Sequence, residues 1–335
     1  MTVRPSSRIV LWVFAAAAGC RTGVPGAPET PASPAVTPPA VSAPTSALPP
    51  PASALPPPAS ALPPPAAAPG APAAVPAPGT GVAPSDDRLG AVLWVQTSAE
   101  YRALALATFA RARLELDRAL ADRTSTAALE QQGEFGGLPP AVVADLDEAM
   151  LDNSAYEADQ IRLGGRYEAV SWNAWMDRAR ATAVPGALEF ARYAAGRGVT
   201  LFYVTNRAAA FEERTRANLA ALGFPLVDDR DTVLTPGERP DWGSDKAPRR
   251  AEVARSFRIL LLVGDDLGDF VSGARAQPEE RVALAERYAE RWQTSWILLP
   301  NPYYGSWERA LLDNERDLSA EEILRRKLGR LRGSE

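Results

Sequence analysis

Residues 140–147 read Pro-Ala-Val-Val-Ala-Asp-Leu-Asp, a short apolar run that ends in two carboxylates two positions apart. A continuous apolar run of this length after a proline is typical of a strand buried on both faces. Similar runs follow at 199–204 and 259–263, with weaker or shorter ones at 232–234 and 296–299. Helix-length segments separate these runs. The sequence therefore predicts an α/β fold with a parallel sheet flanked by helices.

Helical features fill the segments before and between the strands. At the first of them, Thr97-Ser98-Ala99-Glu100 has the form of a capping box. Pro185 suits the first turn of another helix, and Gly196 or Gly198 suits its end. We predict helices at 98–121, around 151–182, and at 185–196, 208–222, 246–255 and 279–292.

Polar residues collect where three of the predicted strands end. Asp145 and Asp147 follow the first strand, Thr205-Asn206-Arg207 follows the second, and Asp265 follows the third, with Asp269 four residues on. Lys246 begins a predicted helix. Ligands of parallel α/β sheets bind beyond the carboxyl ends of the strands. We therefore expect these side chains to form one site.

The composition excludes several kinds of chemistry. The chain has no histidine and one cysteine, so a Ser-His-Asp triad, a Cys-His pair and a Cys/His zinc site are all impossible. Any metal must be held mainly by oxygen atoms, which favours Mg²⁺ or another hard cation. The formal net charge of −5 argues against a surface that binds a nucleic-acid polymer.

Phosphoryl transfer fits the residues that remain. A carboxylate can attack phosphorus to form an acyl-phosphate, and a second carboxylic acid can protonate the leaving alkoxide and then activate water. A hard cation offsets the charge of phosphate and nucleophile, while Lys and Thr bind the remaining phosphoryl oxygens.

The motifs and their order resemble the haloacid dehalogenase (HAD) superfamily, and more closely its lipoprotein-type class C acid phosphatases, also called lipoprotein 5′-nucleotidases. The similarity runs from about Val92 to Glu308. It is carried by the blocks Gln96–Leu104, Ala141–Glu148, Leu151–Ser154, Ala183–Ala187, Phe202–Arg207, Val263–Asp266, Leu299–Pro302 and Tyr304–Glu308.

The resemblance implies a Rossmann-like core with a smaller helical domain, and it implies roles for particular residues. Asp145 would be the nucleophile and Asp147 the general acid and base. Trp172 and Tyr304 would face the substrate, a small phosphomonoester such as a nucleoside 5′-monophosphate. The phosphoryl group would be bound by Thr205, Asn206 and Lys246. Mg²⁺ would be held by Asp145, Asp147 (through its backbone carbonyl), Asp265 and, in the outer shell, Asp269.

Several assignments stay open at this point. The phosphate-binding cation could be Arg249 or Arg250 instead of Lys246, because both lie close to it in the sequence. The metal ligand could be Asp266 instead of its neighbour Asp265. Arg207 suits either phosphate binding or a structural ion pair. The family's first motif usually reads Asp-x-Asp-x-Thr, and Ala149 occupies its last position, so reduced or retuned activity is expected. The alternatives are a non-catalytic, lipid-anchored binding protein on a degenerate fold, and dehalogenation or phosphonate cleavage.

The first 20 residues have the form of an export signal. Arg4 and Arg8 precede an apolar stretch at 9–18 that is shorter than the roughly 20 residues needed to span a bilayer. Ala17-Ala18-Gly19-Cys20 resembles the lipobox of bacterial lipoproteins, in which the cysteine is acylated. We expect lipidation at Cys20 and a location at the cell envelope, in the outer membrane or facing the periplasm. An ordinary secretory signal is the alternative.

The next segment, 21–87, is rich in Pro and Ala and repeats Ser-Ala-Leu-Pro-Pro-Pro-Ala at 46–52, 53–59 and 60–66. Such a sequence cannot build a core and favours an extended polyproline spacer. It would hold the folded domain, predicted at 88–335, away from a membrane. Docking to a proline-binding partner is the alternative reading.

Overall fold

The structure is a computed structural model that describes residues 86–334. The predicted export signal, Cys20 and the repeats of the Pro/Ala-rich segment lie outside the described residues and stay predictions. Asp86 and Asp87 already bond to the folded region, since Arg88 donates to Asp86 at 2.7 Å and Lys327 donates to Asp87.

The described residues form eleven α-helices and seven strands. The helices are α1 (Leu89–Thr97), α2 (Ala99–Ala121), α3 (Ser154–Arg162), α4 (Ala169–Arg178), α5 (Ala187–Gly196), α6 (Glu212–Leu222), α7 (Ala247–Ser256), α8 (Pro278–Arg287), α9 (Ala289–Gln293), α10 (Ser306–Leu311) and α11 (Ala320–Gly329). The strands are β1 (Pro140–Ala144), β2 (Leu151–Asp152), β3 (Thr182–Ala183), β4 (Thr200–Val204), β5 (Val233–Leu234), β6 (Arg258–Gly264) and β7 (Trp296–Leu298).

Five of these strands form one parallel sheet in the order β5-β4-β1-β6-β7. All five lie at predicted positions, and the predicted α/β fold is confirmed. Successive residues of β1 point to opposite faces, as the twofold period of a strand requires. Val142 therefore joins an apolar cluster with side chains of α2, α5 and α6, whereas Val143 joins another with side chains of α7 and α9. The sheet is covered on both faces, which explains its continuous apolar strands.

Two predicted helix starts are wrong in detail. Ser98, not Thr97, caps α2, because its hydroxyl accepts a hydrogen bond from the Tyr101 N–H at 3.0 Å. Thr97 is the last residue of α1, and its hydroxyl donates to the Leu93 carbonyl at 2.7 Å. Pro185 precedes its helix, since α5 begins only after Gly186, whose φ is +90°.

A small cluster of Val92, Val95, Tyr101 and Tyr303 joins α1 to the start of α2, with residues of α3 packed against it. This cluster adjoins the end of β1 through Tyr303, whose hydroxyl donates to Glu148 at 3.0 Å. Residues of α1, α2 and α3 thus share one small apolar cluster, and the separate helical domain that the resemblance implies stays a prediction. Within residues 86–334 we find no helix with the length and apolar character needed to cross a membrane.

Candidate active site

The site lies at the carboxyl edge of the sheet, where β1 is flanked by β4 and β6. Asp145, Thr205 and Asp265 directly follow these three strands. The Asp145 N–H donates to the Val263 carbonyl at 2.8 Å, which continues the β1–β6 pairing one residue further. The Thr205 N–H donates to the Leu234 carbonyl at 3.2 Å. Strand order alone thus brings the predicted residues to one edge.

Lys246 lies in the middle of this edge. It precedes the first turn of α7 and is 5% exposed. Its ammonium donates to one carboxylate oxygen of Asp145 and, at 2.7 Å, to Asp269. The structure therefore joins the predicted nucleophile, a predicted phosphate ligand and a predicted metal-site residue.

Three carboxylates form an acidic cluster beside Lys246. One oxygen each of Asp145, Asp265 and Asp269 lies within 4.8 Å of the others. Asn301 donates to Asp265 at 2.8 Å and orients it. Together with Lys246 the cluster carries a formal charge of −2, and its donors are oxygens, so it suits a hard divalent cation.

Asp269 is held in place by backbone N–H groups of the loop that follows β6. Its second oxygen accepts the N–H groups of Asp265 at 3.0 Å and Asp266 at 2.9 Å. Gly264 makes this possible, because a Cβ there would lie 2.2 Å from that oxygen. The glycine that ends β6 is therefore required by the close approach of Asp269.

Burial and mutual repulsion shift the acidity of this cluster. Burial, reinforced by the charges of Asp269 and Asp147, raises the pKa of Asp145 to about 7, although Lys246 opposes the shift. Burial and the charges of Asp269 and Asp145 raise the pKa of Asp265 well above its usual value. Burial alone would lower the pKa of Lys246, but Asp145 and Asp269 outweigh it and raise that pKa. Lys246 therefore stays cationic. A divalent cation would relieve the repulsion among the carboxylates.

Asp147 faces a different set of partners. Its Oδ1 accepts from Arg207 at 2.9 and 2.7 Å and from Asn153 at 2.9 Å. Its Oδ2 has only one longer contact, with Arg207 at 3.2 Å. Asn153 is in turn oriented by Trp175, whose indole N–H donates to it at 2.8 Å. The carboxylate is thus held mainly through Oδ1, and among residues 86–334 its Oδ2 has no partner other than Arg207. Its side chain does not join the acidic cluster.

Thr205 and Asn206 line the end of β4. Thr205 is fully buried, and its hydroxyl accepts the Arg207 N–H at 3.1 Å. Both ends of the Asn206 amide are engaged, since Nδ2 donates to the Ser244 carbonyl at 3.1 Å and Oδ1 accepts from Arg249 at 2.8 Å. A contribution of Asn206 to phosphate binding is therefore left to its backbone N–H.

Glu148 connects the two loops that flank the site. It has a positive φ of 62° and is buried. Its carboxylate accepts from the Asn153 N–H at 2.9 Å, from the Tyr303 hydroxyl at 3.0 Å and from the Tyr304 hydroxyl. Burial and the charge of Asp147 raise its pKa well above the usual value. The half-buried ring of Tyr304 is thereby fixed beside Glu148, the residue that follows Asp147.

Trp172 lies on the Asp147 side of the site. The Arg207 guanidinium lies 5.7 Å from the centre of its ring, and the ring of Tyr156 packs edge-on against it with 5.0 Å between ring centres.

Asp266 lies next to Asp265 but has a structural role. It accepts from the Ser306 N–H at 2.6 Å and from the Gly268 N–H at 2.8 Å, capping the short 3₁₀ turn 267–269. Of the two neighbouring acids, only Asp265 belongs to the acidic cluster.

Sequence reasoning missed several residues that shape the site. Asn153, Trp175, Glu148 and Asn301 were present in or near the family-like blocks but received no role. Their functions depend on which side chain each one meets, and that is set by the packing of distant segments. The role of Arg207 was left open between phosphate binding and an ion pair, and the structure pairs it with Asp147.

Comparisons with known proteins identify the family and support the fold. A family model described as HAD superfamily, subfamily IIIB (acid phosphatase), matches residues 92–307. Two solved structures of the class C acid phosphatase from Bacillus anthracis are similar to the chain. The one with tungstate bound is 31% identical with a TM-score of 0.67, and covers 75% of this chain and 98% of that one. The other is 32% identical with a TM-score of 0.66 and the same coverage.

Proposed function

The chain belongs to the HAD subfamily IIIB acid phosphatases and is a phosphoric monoester hydrolase, and from that premise we propose that it works through an aspartyl-phosphate on Asp145, aided by Mg²⁺. The observation that carries the proposal is the meeting of Asp145, Lys246, Asp265 and Asp269 at one edge of the sheet.

Asp145 is the nucleophile. One carboxylate oxygen attacks phosphorus, the bond from phosphorus to the ester oxygen breaks, and an acyl-phosphate forms on Asp145. Its backbone N–H is fixed by Val263, and Lys246 holds the carboxylate. These contacts support an oriented nucleophile, because a fixed carboxylate loses little freedom when it attacks.

Asp147 is the general acid and then the general base. Its Oδ2, which has a single longer contact with Arg207, carries the proton that passes to the leaving alkoxide. The same oxygen then accepts a proton from the water that attacks phosphorus, releasing inorganic phosphate and regenerating Asp145. The bonds from Arg207 and Asn153 to Oδ1 keep this carboxyl aimed during both steps.

Lys246 and Thr205, with the backbone N–H of Asn206, bind the phosphoryl oxygens. Asp145, Asp265 and the backbone carbonyl of Asp147 would hold Mg²⁺, with Asp269 in support. When bound, the cation offsets the negative charge of phosphate and of the attacking carboxylate. Support for an oxyanion site also comes from the B. anthracis relative, which binds tungstate, a tetrahedral oxyanion like phosphate.

Small phosphomonoesters such as nucleoside 5′-monophosphates are the substrates that we propose. Trp172 and Tyr304 support this choice, because both are half-buried aromatic side chains linked to the residues around Asp147. Aromatic faces of this kind favour planar leaving groups such as a nucleobase.

We also propose that the protein is exported and lipid-anchored at the cell envelope through Cys20. This rests on the lipobox-like sequence and on the spacer that follows it. A Cys20→Ala variant is expected to appear in the soluble fraction of envelope preparations. Retention of this variant in membranes to the wild-type extent would contradict lipidation.

Phosphate release by the full chain tests the proposed reaction. The substrates are a panel of nucleoside 5′-monophosphates and p-nitrophenyl phosphate, each assayed with Mg²⁺ and with EDTA. We expect Mg²⁺-dependent release, and its loss in Asp145→Asn. Release that is unchanged by EDTA or by Asp145→Asn would refute the assigned cluster.

A haloacid substrate serves as the control for reaction class. The acid at position 147 suits an alkoxide leaving group, so we expect no halide release. Halide release without phosphate release would favour dehalogenation instead.

A further inference from the structure

Arg249, in the first turn of α7, is completely buried without a carboxylate partner. Its exposed fraction is 0%, and among residues 86–334 no carboxylate oxygen lies within 4.0 Å of its guanidinium nitrogens. The next residue, Arg250, is equally buried but pairs with Glu130 at 2.6 Å. A buried charge without a counter-charge is unfavourable, so the position of Arg249 calls for an explanation.

The guanidinium of Arg249 joins the end of β4 to the segment that leads into α7. Nη1 donates to the Thr205 carbonyl and lies 3.4 Å from the Leu234 carbonyl. Nη2 donates to the Asn206 side chain at 2.8 Å and to the Gly243 carbonyl at 3.0 Å. We call this set, Arg249 with Thr205, Asn206 and Gly243, the Arg249 clamp.

The clamp connects two groups that the proposed function assigns to phosphate. Thr205 is at one end of it. Lys246 follows the segment at the other end, three residues before Arg249 on the same side of α7. Asn206 adds a second tie by donating to the Ser244 carbonyl at 3.1 Å.

On this geometry, and resting on the proposed function, we propose that Arg249 is a positioning residue that sets the spacing of Thr205 and Lys246 around the phosphoryl group. A planar fork holds its donors in fixed directions, so it can set the spacing of carbonyls on two segments, whereas the rotatable ammonium of a lysine does not fix that geometry. Its charge also lies behind the phosphate-binding edge and favours an anion there.

The electrostatics of the residue are consistent with this role. Burial lowers the pKa of Arg249 to about 10, and among the opposing charges Asp145 has the largest effect. The guanidinium is therefore close enough to the nucleophile to feel its charge, and it remains cationic at acidic and neutral pH.

Arg258 provides a matched control. It is also buried, 4% exposed, has no carboxylate within 4.0 Å among the described residues, and leaves its Nε unpaired, as Arg249 does. It begins β6, at the opposite end of the sheet from the site, and donates to the Asp122 carbonyl. A lysine at either position replaces a buried guanidinium by an ammonium, and only the one at 249 changes contacts at the site edge of the sheet.

The test compares Arg249→Lys with Arg258→Lys in the full chain. The measurements are kcat and KM for p-nitrophenyl phosphate, the inhibition constant of inorganic phosphate, and the melting temperature. We expect both variants to melt lower than wild type. Only R249K should lose kcat/KM, by about 10- to 100-fold, and bind phosphate more weakly, because small displacements of positioning groups have effects of that size.

Three results would overturn the proposal. One is wild-type phosphate inhibition and kcat/KM in R249K. Another is an equal fall of kcat/KM in R258K, which would indicate a general loss of stability. If R249K does not fold, Asn206→Ala decides, since Asn206 is exposed and its loss removes one arm of the clamp; wild-type kinetics in N206A would then refute the proposal.

A double mutant separates the clamp from direct phosphate contact. If Asn206 and Arg249 act as one unit, the double mutant should lose little more kcat/KM than R249K alone. Fully additive effects would contradict the clamp. Absence of Mg²⁺-dependent release by the wild type would instead refute the proposed function, so the two failures are distinguishable.

Discussion

Asp147 binds its partners through one carboxylate oxygen and leaves the other almost free. Arg207 supplies two donors to Oδ1 and one long contact to Oδ2. The proton that the mechanism requires therefore has one natural location, Oδ2. We expect the orientation of that oxygen to depend on the forked geometry of Arg207 more than on its charge.

Arg207→Lys tests this dependence. Lysine keeps the positive charge but loses the bidentate geometry, so Asp147 should be less well aimed at the leaving oxygen. We expect kcat to fall by about 10- to 100-fold for alkyl phosphates and by less for p-nitrophenyl phosphate, whose leaving group needs little protonation. The measurement is the dependence of kcat/KM on the leaving-group pKa.

Arg214→Lys is the control for this change, because Arg214 is 59% exposed and its contact with Asp177 is 3.8 Å long. An equal fall in R207K for both kinds of leaving group would contradict a role in proton donation.

Ala149 is the residue at which the chain departs from the family's first motif. It is fully buried, directly after Glu148 and between two turns closed by Leu146 and Leu151. A threonine there would add a hydroxyl able to bond the loop, and a valine would add the same bulk without it. We expect Ala149→Thr to raise kcat severalfold over Ala149→Val at matched melting temperature. Equal kinetics in the two variants would mean that the missing hydroxyl does not limit activity.

At the scale of elements, the two glycines that flank α5 differ in their surroundings. Gly186 has φ +90°, and a Cβ there would meet Phe109 of α2 at 3.2 Å. Gly198 has φ +74°, with open space around the same position. An alanine at either position would strain the backbone, but only at Gly186 would it also collide with α2.

Gly198→Ala is expected to lower the free energy of unfolding by about 1 kcal/mol, from strain alone. Gly186→Ala should lower it by about 2 kcal/mol or more, because overpacking against Phe109 adds to the strain. Urea unfolding of both variants measures the difference. A smaller loss in G186A than in G198A would contradict the packing argument.

The elements that could be predicted from the sequence are those with a clear pattern of apolar residues. The five strands of the sheet are buried on both faces, so their apolar runs are continuous and easily recognised. Helix α1 was missed because Leu89–Thr97 is apolar on nearly every side and lacks a single apolar face. The two-residue strands β2 and β3 are too short to form a pattern.

For the site, sequence reasoning placed the residues that follow strands and missed those that support them. Asp145, Thr205 and Asp265 could be grouped because parallel strands end at one edge. Asn153 bonds Asp147 across a loop of 6 residues, and Asn301 bonds Asp265 from a loop 36 residues further on. Both contacts depend on how these loops fold, which the apolar pattern of the strands does not encode.

At the scale of the whole molecule, we expect the acidic cluster to link metal binding to pH. Folding raises the pKa of Asp145 to about 7 and that of Asp265 well above its usual value, so the folded protein binds protons that the unfolded chain has released. The stability from this protonation is present below the unfolded pKa and is lost as pH rises through the folded pKa.

The metal-free protein should therefore melt at a lower temperature as pH rises toward about 7, and Mg²⁺ should raise the melting temperature more at about pH 8 than at about pH 5. Thermal scans with Mg²⁺ and with EDTA measure this. Asp265→Asn should reduce the pH dependence. A larger Mg²⁺ effect at the acidic pH would contradict the assigned cluster.

The most direct test of the account is capture of the covalent intermediate. The full chain is mixed with a phosphomonoester and Mg²⁺, quenched in acid within the first turnover, and its peptides are examined by mass spectrometry. We predict one added phosphoryl group on the peptide that contains Asp145, and none in Asp145→Asn. A phosphoryl group on another residue, or turnover without any on Asp145, would contradict the mechanism.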